Sequence, residues 1–141
     1  MWNKQAALDT LNTQVADHSL GRCAEYVRKA VEAGGVRLTR HTSAKDYGAS
    51  LLAVGFVALP AAEGFYAGAD VAVIQPISGH PHGHMAMFNG TFWLSDFKQM
   101  HGLYPGPGYR SQKPPFTVYR HVDLIAAPPP LALPSASAFL A

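Results

Sequence analysis

Apolar periodicity changes once along this 141-residue chain, near Gly55, and that change limits the folds open to it. Before Gly55 the apolar residues recur at helical spacing. After it they gather in short β-branched or aromatic segments separated by Gly, Pro and Asn. Helices first and strands after them is the α+β arrangement rather than an alternating βαβ chain.

In the helical half, Leu8, Leu11 and Val15 predict an amphipathic helix over residues 3–17, stopping before His18. Ser19 is a candidate N-cap for a second helix over 20–33, and Gly34-Gly35 is its stop signal. Leu20, Cys23, Val27, Ala30 and Val31 share one face of it, with Glu25 and Lys29 an i,i+4 pair on the other. Ser43-Ala44-Lys45-Asp46 reads as a capping box opening a third helix that ends near Gly55. The predicted strands are 56–59, 70–75, 84–88, 92–97 and 116–121. Residues 101–115, dense in Gly and Pro, predict a surface loop lining a cleft. We expect one domain over 1–123, followed by an Ala/Pro-rich tail, 124–141, that is extended or partly disordered.

Composition excludes several functions. Hydrophobic residues make up 48% of the chain and charged ones 14%, enough to bury a core. Eleven Lys and Arg, scattered rather than clustered, stand against nine Asp and Glu, which argues against nucleic-acid binding. No apolar run approaches the roughly 20 residues of a membrane span, and the first residues do not form a Sec-type signal. A single Cys excludes an internal disulfide and a Cys-rich zinc site. Seven His beside that one Cys are the unusual feature that remains.

Cys23 falls in the first turn of its helix, where unpaired N–H groups, the helix dipole and Arg22 favour thiolate over thiol. That suits a nucleophile; the plain alternative is a small core residue beside Val27 and Val31. His80, His82 and His84 alternate in the segment GHPHGH, just before the strand 84–88, and Asn89-Gly90 signals a hairpin into 92–97. With a three-residue loop, Asn89 to Thr91, His84 lies opposite Asp96, Cβ atoms about 5 Å apart. With a two-residue turn it faces Ser95 instead. Both registers are open at this point.

The runs Gly21-Arg22-Cys23-Ala24-Glu25-Tyr26-Val27-Arg28, Gly83-His84-Met85-Ala86-Met87-Phe88-Asn89-Gly90 and Trp93-Leu94-Ser95-Asp96-Phe97 resemble the NlpC/CHAP group of papain-like peptidoglycan amidases, and most of all the type VI secretion amidase effectors. The likeness spans about residues 19 to 99. It implies a papain-like α+β domain with N-terminal helices packed on a small antiparallel sheet. It further implies Cys23 as nucleophile, His84 as general base and Asp96 as the residue orienting the imidazole, with no cofactor. The implied substrate is the peptide stem of bacterial peptidoglycan, at the γ-D-glutamyl–diaminopimelate or diaminopimelate–D-alanine bond. The implied partners are an immunity protein that blocks the cleft and a component of a secretion machine, with delivery to a target cell's periplasm or, for a phage-type enzyme, release by lysis. A rival reading takes His80, His82 and His84 as zinc ligands of a JAMM-like hydrolase, leaving Cys23 in the core. A third is a small binding or immunity-type protein whose His and Pro loops form a recognition surface.

Overall fold

The structure, a computed structural model, describes residues 2–60 and 64–122. The tail 124–141 lies outside them. Helix α1 (Lys4–Gln14) starts where Asn3 Oδ1 accepts the Ala6 N–H at 2.9 Å, and it buries Ala7 and Leu11. Helix α2 (Cys23–Ala33) ends at Gly34, and Gly35 follows at φ +110°, a conformation that costs glycine little. A 3₁₀ turn (Ala44–Asp46) leads into α3 (Gly48–Ala53), and α4 (Pro107–Gln112) comes late in the chain. Six strands, β1 (Phe56–Ala58), β2 (Val71–Ile74), β3 (His84–Phe88), β4 (Trp93–Leu94), β5 (Lys98–Gln99) and β6 (Phe116–His121), form one antiparallel sheet in the order β1-β6-β2-β3-β4-β5.

The expected order of helices on a small antiparallel sheet is what forms. Helix α2 lies against α1 on one side and β3 on the other. Val27, Ala30 and Val31 pack with Leu11, Val71, Val73, Met85, Met87 and Leu94 into the main core. Strand alternation turns Ala72 and Ala86 to the opposite face, where they meet Trp93 and Val118. Ile74, at the end of β2, joins Ile77 and Tyr109 in a small third cluster under α4. Among the described residues, no helix is long and apolar enough to cross a membrane.

Four expectations need correction. The second helix begins at Cys23, not Leu20, and Ser19 does not cap it; Leu20 is exposed. The third helix is divided at Tyr47 into the 3₁₀ turn and α3, and Ser43 does not cap it, its hydroxyl being hydrogen-bonded to His82 Nδ1. The loop 101–115 contains α4, which Pro107 opens at its first turn, where a missing N–H costs nothing.

The hairpin adopts neither weighed register. Phe88 pairs with Trp93 and Met87 with Leu94, so the loop is Asn89–Phe92. Asn89 Oδ1 accepts the N–H groups of Thr91 (2.9 Å) and Phe92 (2.7 Å), an Asx turn that draws both residues out of the strand. The ladder then stops at Leu94, and 92–97 divides into β4, a bend at 95–96 and an isolated bridge from Phe97 to Ala16, with β5 beginning only at Lys98.

Candidate active site

A cleft of about 1140 Å³ opens where the start of α2 meets the start of β3. Cys23, His84 and Asp96 all line it, with His80, His82 and Tyr109. By strand alternation His84 shares the Ala86 face, opposite Met85 and Met87, which pack with α2. Thiol and imidazole therefore reach the same cleft from the two sides of the sheet, at the end of β3.

The loop before Cys23 is held by a buried carboxylate. Asp96 Oδ2 accepts the Leu20 and Arg22 N–H groups, each at 2.8 Å, and the Asp96 carbonyl accepts the Ala16 N–H at 2.9 Å. Gly21 between them takes φ +71°, which lets both donors turn to one oxygen. This carboxylate does at long range what a side-chain N-cap does locally, since Arg22, the cap residue, makes no capping bond of its own.

Burial outweighs the helix start in setting the thiol's acidity. Desolvation pushes Cys23 up to about 11, and Asp96 adds to the rise, against pull-back from the backbone N–H groups of Met85, Ala24 and Cys23. The sequence favoured a thiolate here. Burial, with the Asp96 carboxylate beside it, instead favours the neutral thiol.

His84 is buried, and desolvation lowers it to about 4, partly opposed by its bond to Gln99 and by Asp96. Its Nε2 lies 2.8 Å from Gln99 Oε1. Gln99, 2% exposed, donates from its own nitrogen to the Gly102 carbonyl at 3.0 Å and the Leu103 carbonyl at 2.8 Å. Those two acceptors fix which end of the amide faces the imidazole, so His84 carries its proton on Nε2 and keeps Nδ1 bare. The expected Asp96–His84 contact is corrected by this network: Gln99 engages the ring, and Asp96 engages the α2 approach. Gln99 carried no sequence signal, for nothing in spacing marks a Gln on a two-residue strand as the partner of a His fifteen positions earlier.

The other histidines go elsewhere. His82 binds Ser43, and the His80 ring lies 5.4 Å from the Tyr109 ring. Among the described residues no three His, Cys, Asp or Glu side chains come together as a metal site, so the zinc reading lacks its ligand set. A thiol, an imidazole with one bare nitrogen and an amide fixing its tautomer form a set able to run general-base-assisted attack on a carbonyl.

The cleft rim is basic. Arg22 and Lys29 share Glu25 at 2.6 and 2.9 Å, and Arg28 pairs with Glu32 at 2.9 Å. Arg40 also lines the cleft, exposed, with no ion-pair or hydrogen-bond partner among the described residues.

Comparison with models of known protein families finds no match, and comparison with curated proteins finds none either. Among solved structures, the chain is similar to the native type VI effector–immunity complex Tae3–Tai3 from Ralstonia pickettii. Identity is 54% and the TM-score 0.81, over 86% of this chain and 100% of the other. The selenomethionine form of that complex matches with 56% identity and a TM-score of 0.76, over 81% of this chain and 98% of the other.

Proposed function

The chain belongs to the Tae3 family of type VI effectors, and from that premise we propose that it is a cysteine amidase that cuts a stem-peptide amide of bacterial peptidoglycan. The observation that carries this reading is the cleft that holds Cys23 and His84 together, with the His84 tautomer fixed by Gln99. A helix-borne thiol sharing a cleft with a strand-borne imidazole is also the arrangement of the papain-like NlpC/CHAP group, which supports placing the domain there.

In this mechanism the resting pair is neutral. His84 Nδ1 takes the thiol proton as Sγ bonds to the scissile carbonyl carbon, and the carbonyl electron pair moves onto oxygen. Collapse of that oxyanion breaks the C–N bond, and the imidazolium gives its proton to the departing amine. Water, deprotonated by the same nitrogen, then hydrolyses the thioester and frees Cys23. Because His84 is buried and neutral above about pH 4, it is ready as a base throughout the neutral range. Asp96 acts as a positioning residue, holding the loop that delivers the thiol.

Stem peptides carry free carboxylates beside γ-D-glutamyl and diaminopimelate linkages, and Arg40, without an ion-pair partner among the described residues, gives the cleft a cation to meet one. The bond cut is γ-D-glutamyl–diaminopimelate or diaminopimelate–D-alanine. The Ralstonia pickettii relative forms a complex with Tai3. On that basis this effector has a cognate immunity protein that closes the cleft, and a type VI apparatus carries it to the periplasm of a target cell.

The test is digestion of purified sacculi with fragment mass spectrometry. Wild-type protein releases fragments cut at one stem bond, and Cys23→Ala and His84→Ala release none. Fragment release by Cys23→Ala at the wild-type rate overturns the reading.

A further inference from the structure

Tyr109 is buried, at 4% exposure, and it also lines the cleft. Its ring centroid lies 5.4 Å from that of His80 and 6.0 Å from that of His84. Tyr47 and Tyr104 spend their hydroxyls on main-chain carbonyls, of His41 and Pro114 respectively. The Tyr109 hydroxyl has no hydrogen-bond partner among the described residues and is not fully buried. If packing were its purpose, phenylalanine would fill the Ile74–Ile77 cluster without an idle O–H. Burial pushes the phenol up to about 12, with the Cys23 charge adding to the rise, so it keeps its proton throughout the neutral range.

We propose that Tyr109 is a catalytic residue, its hydroxyl donating a hydrogen bond to the oxyanion formed when Cys23 adds to the scissile carbonyl. The proposal rests on Cys23 being the nucleophile. As the Sγ–C bond forms and the thiol proton passes to His84, the carbonyl π pair becomes a full charge on oxygen. The phenol O–H meets that charge without giving up its proton, and it is released when the C=O bond re-forms and the amine leaves. A donor held in place before the charge appears stabilises the transition state more than the ground state. Helix α4 supplies the rigidity: Gly108, next to Tyr109, sits so close to Ile77 that even a Cβ would press on it.

Tyr109→Phe keeps the ring and removes the donor. On a soluble stem peptide, kcat should fall about 100-fold with KM changed less than about 2-fold. Affinity for a stem-peptide aldehyde, which forms a tetrahedral adduct with the thiol, should fall by a similar factor, while affinity for the corresponding alcohol stays constant. Alkylation of Cys23 by iodoacetamide, which creates no oxyanion, should be unchanged. Wild-type kcat and aldehyde affinity in Tyr109→Phe overturn the proposal, as does an equal loss of alkylation, which would mark a packing role. Cys23→Ala separates the two readings: activity surviving that substitution defeats the amidase mechanism, whereas Tyr109→Phe tests only the donor.

Discussion

The acidity of Cys23 is the property on which sequence and structure disagree most, and it can be measured directly. Being the chain's one cysteine, it makes alkylation unambiguous. A rise from the ordinary 9.0 to about 11 lowers the thiolate fraction at pH 7 from about 10⁻² to about 10⁻⁴. The more basic thiolate regains part of that loss: a Brønsted slope near 0.45 over two units makes it about 8-fold more nucleophilic. The folded protein should therefore react with iodoacetamide about 10-fold more slowly at pH 7 than the same chain in urea, before any steric shielding. Between pH 6 and 10 its log rate should rise with unit slope, with no plateau, and His84→Ala should leave that slope intact because the imidazole is neutral throughout. Rates read by mass spectrometry at each pH decide the matter. A plateau between about pH 5 and 8, with folded protein reacting faster than unfolded, would mean a thiolate–imidazolium pair and would refute proton transfer during attack.

Three further outcomes follow from the same network. Gln99→Ala removes the acceptor for His84 and the two donors to Gly102 and Leu103, so the urea midpoint should report about 3 kcal/mol of lost stability and kcat per folded molecule should fall about 100-fold; unchanged kcat would reduce Gln99 to a loop strut. Gly21 and Gly83 both take positive φ, yet nothing approaches a Cβ at Gly21, whereas one at Gly83 would overlap the Ile74 carbonyl oxygen. Gly21→Ala should cost about 1–2 kcal/mol and Gly83→Ala clearly more, with loss of activity from displaced His84, as denaturant curves and kcat will show. Finally, His84 titrates near 6.5 unfolded and near 4 folded, so the unfolded chain binds the extra proton in between. Its contribution is complete above about pH 6.5 and is lost as pH falls towards 4, about 3 kcal/mol across that window. His84→Gln should flatten this part of the stability–pH curve.

Much of the architecture was legible because local rules acted alone. The change of periodicity near Gly55 located the passage from helix to strand, Gly34-Gly35 ended α2, and β3 and β6 run over the residues their patterns mark out. Local rules failed where a distant group competed for the same atoms. Ser43 reads as a cap until His82 takes its hydroxyl, and Ser19 until Asp96 takes the neighbouring N–H groups. Residues 101–115 read as loop because Gly and Pro dominate them, and the helix they contain is held by Ile77 beneath it.

The sequence by itself determined the α+β order, the helix-start position of Cys23 and the strand-start position of His84, since each follows from contacts within a few residues. Tertiary structure decided the chemistry of the pair. Whether a thiol is charged depends on what buries it, and which nitrogen of an imidazole is bare depends on what lies across the sheet. Asp96 and Tyr109 reach the cleft, and Gln99 the His84 ring, through long-range packing, and no periodicity encodes an electrostatic environment assembled from residues more than seventy positions apart.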